Sequence, residues 1–378
     1  MADILFVMRI PMDGRDNLCP KFYGEMAGAR RLGHTVHWIA WDKTGMWLCG
    51  DGEPRLLHRA RFSGMPAYHH LMLYIDLMIA LRKLSRERKY DLLYMRYMLT
   101  PGNAPGAIRA MKKQGAKLVV EHPTYPFQHA RSNTWWRKPF FWYSERVYSR
   151  IHAMVDLYSI MGDDCGGELD GRPAMNVLNA VDVEALPLHK QPDNGYEIHL
   201  AALASMSCWQ GYDRVIRAIA DWKGKEKIVL HLAGVEGDGS LAAWMKLAGE
   251  LGLQEQVIFE GELHGEPLDR LIDRCDAGLG SMAIYKRRVQ NVITLKLREY
   301  MARGLPFIYA EELGDLGWEQ AFCHQVPNDD SPLDMEQIVA FVHRIRKDSD
   351  ISARMRAYAS AHMTWEPVMR SIFERVKL

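Results

Sequence analysis

Two trains of short apolar runs, each run followed by an amphipathic stretch, organise this chain. In the first, Ile4-Leu-Phe-Val-Met8 predicts a strand, Pro20–Leu32 a helix closed by Gly33, and Thr35-Val-His-Trp-Ile-Ala40 a second strand. An amphipathic stretch over Met65–Arg88 precedes the strand Asp91-Leu-Leu-Tyr-Met95, and a helix over Ala104–Gln114 precedes Lys117-Leu-Val-Val-Glu121. The chain then turns irregular and aromatic from Pro123 to Tyr143, with a helix predicted over Phe141–Met154. The second train opens at Glu197–Ala202. It continues with helices over Tyr212–Trp222, Leu241–Leu251 and Glu266–Arg274, and with strands over Lys227–Ala233, Val257–Glu260, Ala277–Ser281 and Pro306–Ala310. This β-α-β-α rhythm predicts two α/β domains, each built on a parallel, doubly wound sheet. Between them Glu184–Tyr196 lacks periodicity and reads as an interdomain linker. The tail, Trp365–Leu378, is an amphipathic helix that completes neither train; it either crosses back onto the first domain or closes the second.

Composition narrows the class. With 378 residues the chain can bury two full cores, and its 48% hydrophobic and 25% charged residues are ordinary for a soluble globular protein. Forty-eight Lys and Arg against 47 Asp and Glu leave no field that draws the whole chain to nucleic acid. Six cysteines (Cys19, Cys49, Cys165, Cys208, Cys275, Cys323) are scattered without metal-ligand spacing, as expected of reduced thiols in the cytoplasm. Met1–Met8 runs straight into a strand with no basic leader, so no secretory signal is expected. The apolar stretch Leu71–Leu81 is broken by Asp76 and is too short to span a bilayer.

The densest chemistry lies in Thr294-Leu-Lys-Leu-Arg-Glu-Tyr-Met-Ala-Arg-Gly-Leu-Pro306, which predicts a helix of about three turns with Thr294 as N-cap and Gly304 and Pro306 as the stop. The start of such a helix offers unpaired N–H groups and a positive dipole end to an anion. Lys296 and Glu299, three residues apart, are expected on one face of it. Gly14, in the loop after the first strand, is either a plain turn glycine or a point of close ligand approach. Gly234–Gly239 also follows a strand, but lacks the full dinucleotide fingerprint.

Asn179-Ala-Val-Asp182, Trp209-Gln-Gly-Tyr-Asp-Arg214, Val257–Gly261, Cys275–Ser281 and the Leu-Lys-x-x-Glu-Tyr-x-Ala-x-Gly-x-Pro of residues 295–306 follow one another in a telling order. In that order they resemble the retaining glycosyltransferases of the GT-B fold, family 4, and most of all the bacterial enzymes of capsule, exopolysaccharide and lipopolysaccharide assembly. The resemblance implies two Rossmann-like β/α/β domains facing a deep interdomain cleft. Residues 1–183, with the helix 362–378 packing back on them, would bind the acceptor, and residues 184–361 the nucleotide sugar. It implies transfer, with retention, from a UDP- or GDP-linked donor to a glycan or lipid-linked saccharide, without a cofactor or metal.

The same resemblance implies particular roles. The family's Glu-x7-Glu pattern puts its second glutamate on Glu299, against the donor ribose. Its first falls on Asn291, near the transferred sugar, which can hydrogen-bond but carries no charge. The Arg and Lys that the family supplies after the first strand of the second domain are replaced by Ser205, Ser207 and Gln210. Lys286, Arg287 and Lys296 are then the cations left to face the diphosphate, with Gly234, Thr294 and Leu295 completing the donor set. On the acceptor side His122, with Glu121 beside it, approaches the transferred sugar, and Arg96 and Tyr125 meet the acceptor. Transfer of this kind is front-face: the leaving phosphate takes the acceptor's proton, so these residues position groups and none is a nucleophile.

Trp135–Tyr143 packs six aromatics and two cations into nine residues. It either meets a membrane surface or lipid-linked acceptor, which would place the protein on the inner face of the cell membrane, or covers the first domain's core. Two other functional readings stay open. One is a sugar-nucleotide epimerase of the same fold. The other is a non-catalytic sugar-nucleotide or glycan-binding homologue, for which Asn291 and the lack of a cation near Ser205 argue.

Overall fold

The computed structural model describes residues 1–61, 63, 72–125, 138–287, 294–311 and 321–378. Asn291, the span Trp135–Arg137 and the start of the stretch predicted over Met65–Arg88 lie outside the described residues. The chain divides into two compact units, residues 1–178 with 365–378, and residues 179–364.

The first unit carries β1 (Asp3–Pro11), α1 (Cys19–Arg31), β2 (Thr35–Trp41), β3 (Gly45–Cys49), β4 (Arg55–Arg59), α2 (Met72–Glu87), β5 (Leu92–Arg96), α3 (Ala104–Lys112), β6 (Lys117–Tyr125), α4 (Lys138–His152), β7 (Leu157–Gly162), β8 (Glu168–Leu169) and β9 (Arg172–Asn176). The strands form one sheet in the order β4-β3-β2-β1-β5-β6-β7-β9-β8. The strands from β2 to β9 in that order run parallel; antiparallel pairings of β3 with β2, β4 with β3, and β8 with β9 extend the two edges. Ile4 to Met8 are buried on both faces of the sheet, which is why β1 reads as a continuous apolar run without alternation. The chain reverses its direction of winding between β1 and β5, and ligands of open α/β sheets bind outside the carboxyl ends of the strands at such a point.

The second unit carries β10 (Glu197–Leu203), α5 (Tyr212–Asp221), β11 (Lys227–Ala233), α6 (Ser240–Glu250), β12 (Val257–Gly261), α7 (Glu266–Arg274), β13 (Ala277–Leu279), α8 (Leu295–Arg303), β14 (Phe307–Tyr309), β15 (Cys323–Gln325), α9 (Met335–Ile345) and α10 (Ile351–His362). Its sheet has the order β12-β11-β10-β13-β14-β15 and is parallel throughout, with the reversal between β10 and β13. Gly304 ends α8 in the left-handed region, φ 74°, where the Leu305 N–H returns to Tyr300 O.

The last helix, α11 (Trp365–Arg375), belongs to the first unit. A Cβ at Gly24 of α1 would come within 2.4 Å of the Trp365 indole nitrogen, and one at Gly28 within 2.7 Å of Trp365 Cβ. The two glycines, one helical turn apart, therefore form the notch that receives a buried tryptophan.

The span expected as a linker, Glu184–Tyr196, belongs instead to the second unit. His189 N–H bonds Arg303 O, Lys190 N–H bonds Asp273, and Asn194 bonds Arg274 O and Asp276. The break falls at 178/179, because Val183 already packs in the second core and Val181 N–H bonds Met363 O. Sequence periodicity sees none of this, since an irregular segment tied down by backbone bonds has no pattern of its own.

Candidate functional site

At the carboxyl end of the first sheet, four charged side chains meet below the surface. α1 presents Lys21 and Glu25 one turn apart, Glu121 comes from β6, and Arg96 is the last residue of β5, paired with Glu121 in the strand register. Lys21 Nζ donates to Glu25 and to Glu121 Oε2 (2.8 Å), while Arg96 donates to Glu121 Oε1 (2.5 Å). Both glutamates are fully buried. Burial alone would raise the Glu121 carboxyl, but Lys21 and Arg96 beside it hold it at about 2. Burial and then the charge of Glu121 push the Glu25 carboxyl up to about 8, so near neutral pH Glu25 keeps its proton and Glu121 does not.

His122, the next residue along β6, points to the other face of the sheet. It stacks on Tyr97, with ring centres 4.6 Å apart, and its Nε2 lies 3.1 Å from the Tyr148 hydroxyl, which in turn donates to Tyr158. Burial drops its pKa to about 3, so it is a neutral imidazole packed among rings, with only 3% of its surface exposed. Glu121 and Arg96 are thus brought together, while Glu121 and His122 are held apart by the pleat. Tyr125, at the end of β6, gives its carbonyl to the Asp163 N–H (3.2 Å). Gly14 occupies the left-handed region, φ 67°, in the turn after β1, where its N–H returns to Pro11 O.

The second unit builds a different cluster at its own sheet edge. Lys296, in the first turn of α8, points inward and donates to Gln210 Oε1 and to the Tyr212 hydroxyl (2.9 Å). Ser281 Oγ, just after β13, donates to the same Gln210 oxygen (3.1 Å). Glu311, just after β14, accepts from the Ser281 N–H (3.0 Å) and from the Thr294 hydroxyl (3.3 Å). Thr294 takes the extended conformation of an N-cap but spends its hydroxyl on Glu311, leaving the first N–H groups of α8 without a side-chain cap. Burial pushes the Lys296 ammonium down to about 7, with Glu311 opposing, and burial raises Glu311. The lysine therefore reaches the Gln-Gly turn after β10 from a helix start 86 residues along the chain.

The other donor candidates distribute around this cluster. Ser205 is exposed and Ser207 half-buried after β10, and a Cβ at Gly237 would strike both hydroxyls. Gly234 is required sterically: a Cβ there would lie 1.7 Å from Ala204 O. Lys286 is exposed, 3.7 Å from Asp330, and Arg287 lies over the Trp209 ring at 4.8 Å. Leu295 is half-buried at the helix start. Lys296 and Glu299 do not share a face as expected. The lysine turns into the interior, whereas Glu299 pairs with Arg303 (2.9 Å), itself held by Asp269 (2.7 Å). The ion pair to the next turn satisfies Glu299 where it stands, and only the interior offers Lys296 its two oxygens.

Lys21, Glu25, Tyr212 and Glu311 are the participants the sequence reading passed over. Lys21 and Glu25 carry a signal, a pair of opposite charges four apart on a helix face otherwise made of Phe22, Met26 and Ala29. Glu311 carries another, a carboxylate directly after a buried parallel strand. Among the described residues no cluster of three or more His, Cys, Asp or Glu is arranged to hold a metal ion, and no helix is long and apolar enough to cross a membrane.

Residues 190–362 match the family model for glycosyl transferases group 1. No curated protein matches the chain significantly by sequence. Solved structures align over nearly the whole chain. HepE of Anabaena, in complex with UDP, matches at 16% identity over 99% of both chains with a TM-score of 0.60. Sucrose-phosphate synthase from Thermosynechococcus elongatus matches at 12% identity over 98% of both, TM-score 0.65. The catalytic domain of starch synthase IV from Arabidopsis thaliana, bound to ADP and acarbose, matches at 9% identity over 100% of this chain and 99% of that one, TM-score 0.64. At these identities the likeness establishes the fold: two Rossmann-like α/β domains of GT-B type. The matched domain and the fold together make this chain a glycosyltransferase.

Proposed function

We propose that the chain is a retaining, family 4 glycosyltransferase that moves a sugar from a UDP- or GDP-linked donor to a glycan or lipid-linked saccharide of a bacterial surface polysaccharide. One observation carries this reading. At the start of α8, uncapped N–H groups stand beside a buried ammonium that donates to the neutral oxygens of Gln210 and Tyr212. An incoming diphosphate brings negative charge to an ammonium whose direct bonds go to neutral oxygens, and the charge developing on the leaving group strengthens the pairing in the transition state. HepE has been solved with UDP and with UDP-glucose, and starch synthase IV with ADP, which supports a nucleoside diphosphate as the leaving group.

Lys296 therefore takes the place of the missing cation near Ser205 and Ser207, with Arg287 and Lys286 at the rim, and Glu299 meets the ribose. Asn291 hydrogen-bonds the sugar. In the first unit Arg96 and Tyr125 receive the acceptor, and Glu121 and His122 set the position of that surface. The leaving phosphate takes the acceptor proton, so the reaction needs neither metal nor cofactor. Exposed Trp142 and Tyr143 on α4, with exposed Lys138 and Arg146 nearby, support peripheral contact with the cytoplasmic face of a membrane.

The test is a thermal-shift panel of nucleotides and nucleotide sugars followed by an anomer-resolved transfer assay. A shift with UDP or GDP and a product of unchanged anomeric configuration support the reading. Absence of any nucleoside diphosphate binding, or an inverted product, overturns it.

A further inference from the structure

Two cations of the second unit are held by residues that follow one another in the chain. The turn Cys208–Gln210 carries both holders: Gln210 accepts from Lys296, and the Arg287 guanidinium lies over the Trp209 ring, 4.8 Å from its centre. Arg287 closes the turn Ile284–Arg287, whose approach is bonded to the first turn. Met282 N–H bonds Gln210 O (2.8 Å). Gly211, left-handed at φ 65°, comes so close to Ala283 that a Cβ on it would lie 2.6 Å from the Ala283 Cβ. Holders and arginine therefore stand on backbone segments locked against each other.

The chemistry of its partner sets Arg287 apart. Among the described residues it makes no hydrogen bond and no ion pair, and Trp209 is what it rests on. Cations close by are opposed by carboxylates: Lys286 stands 3.7 Å from Asp330, and Arg214 4.0 Å from Asp329. An aromatic face attracts a cation through the ring quadrupole and takes none of its protons. All five N–H donors of the guanidinium therefore stay available in its plane. Lys296 is held in a similar manner, by the uncharged oxygens of Gln210 and Tyr212. Two positive charges whose direct partners are neutral match a diphosphate, in which each phosphate of a nucleotide sugar carries a negative charge. Trp209 and Arg287 are both half-buried, so the pair is reachable from solvent.

We propose that Trp209 is a positioning residue: its ring holds Arg287 as the second cation, with Lys296, for the donor's diphosphate. The inference rests on the transferase reading and deepens it, since it separates Arg287 from Lys286, whose charge Asp330 already opposes. It also accounts for a site without a cation at Ser205 and Ser207. The turn after β10 supplies a ring and an amide in its place, and each holds a cation brought from elsewhere in the chain. A planar guanidinium suits the role, because it can stack by its face and meet two phosphate oxygens by its edge.

Calorimetry on the full chain tests it with two probes: UDP or GDP, whichever binds more tightly, and the matching nucleoside. Arg287→Met should weaken the diphosphate about tenfold and leave the nucleoside unchanged, as when one charge-assisted contact to a phosphate is lost. Trp209→Leu, which keeps bulk and loses the π face, should weaken the diphosphate severalfold and again spare the nucleoside. Trp209→Phe should recover most of that loss, because a phenyl face still attracts a guanidinium. The double variant Trp209→Leu with Arg287→Met should bind no more weakly than Arg287→Met alone, since the tryptophan acts through the arginine. Additive losses overturn the proposal, because Trp209 would then touch the nucleotide by itself. So does a loss shared equally by the nucleoside, a Trp209→Phe variant as weak as Trp209→Leu, or wild-type affinity in Arg287→Met. If the unaltered protein binds neither diphosphate, the transferase reading falls and takes this inference with it. Diphosphate binding that none of the variants changes overturns this inference alone.

Discussion

Each unit buries one lysine near the carboxyl ends of its sheet, and the two lysines keep opposite company. Lys21 sits between two carboxyl groups, the protonated Glu25 and the ionised Glu121. Lys296 sits between two neutral oxygens, those of Gln210 and Tyr212, while Glu311 stands off and is bonded to Ser281 and Thr294 instead. A buried cation already paired with an ionised carboxylate has little to gain from a ligand's negative charge and serves the fold. A buried cation bonded directly only to dipoles is poorly compensated for its lost hydration, and burial pushes its pKa down to about 7 even with Glu311 opposing from a distance. It is stabilised when an anion arrives. Under the proposed function, the contrast gives structural work to Lys21 and donor binding to Lys296.

Substitution at the two lysines is the hardest strike at this contrast. Lys21→Met removes one partner of a buried ion pair and leaves the Glu121 carboxylate behind, at an expected cost of about 3–5 kcal/mol, read as a lowered midpoint in urea denaturation. Lys296→Ala is expected to do the reverse: transfer slows about a hundredfold, as when one preorganised transition-state donor is removed, while the unfolding midpoint holds or rises because a desolvation cost is gone. If Lys296→Ala unfolds the protein and Lys21→Met merely slows it, the assignment of roles is backwards.

The pH dependence of stability sharpens the comparison, since the two clusters should slope in opposite directions. Glu25 has its folded pKa raised from 4.5 to about 8. Between those values the native state holds a proton that the unfolded state has released, so this group's contribution is complete below pH 4.5 and is lost as pH rises toward 8. Lys296 has its folded pKa lowered from 10.5 to about 7, so there the unfolded state holds the extra proton and stability grows as pH rises from 7 to 10.5. Melting temperatures across pH 4 to 10 check both signs. Glu25→Gln should flatten the falling limb alone, and Lys296→Met the rising limb alone.

Much of the scaffold for this contrast was legible in the sequence, and the contrast itself was not. β11 and α7 read to the residue, because Lys227–Ala233 is a continuous apolar run and Glu266–Arg274 a compact amphipathic one. The edge hairpin β3–β4, the strands β7 to β9 and β15, and helices α9 and α10 went unread. α9 announces itself by Asp334, whose side chain caps Gln337 N–H three residues on, a local signal that was available. β3 and β4 announce themselves weakly: they are short, and Gly45 is there because His58 O comes too close for any Cβ. At the sites, Arg96, Glu121 and Lys296 were singled out, but the partners of each are 25 to 100 residues away in sequence. Helical periodicity put Lys296 beside Glu299. Packing decided otherwise, since the oxygens that accept its protons come from the turn after another strand.

The finest test concerns Glu311, whose distance from Lys296 is what makes the second cluster unlike the first. Its carboxylate bonds Ser281 and Thr294 and raises the Lys296 pKa through space, without contact. Glu311→Gln preserves an oxygen for those two donors and removes the charge. The fold should hardly notice, because an amide is cheaper to bury than a carboxylate. Lys296 should notice: with no negative charge nearby its pKa falls further below 7, and at neutral pH a smaller fraction is protonated to meet the diphosphate. UDP affinity at pH 7 should then drop severalfold, by less than the loss at Lys296→Ala, and recover as pH is lowered, since each unit of pH restores up to about tenfold in the ammonium form. An affinity that falls equally at every pH would mean that Glu311 shapes the loop and leaves the lysine's charge alone. A wild-type affinity with a wild-type pH profile would remove Glu311 from the site, and the donor cation would then stand on dipoles only.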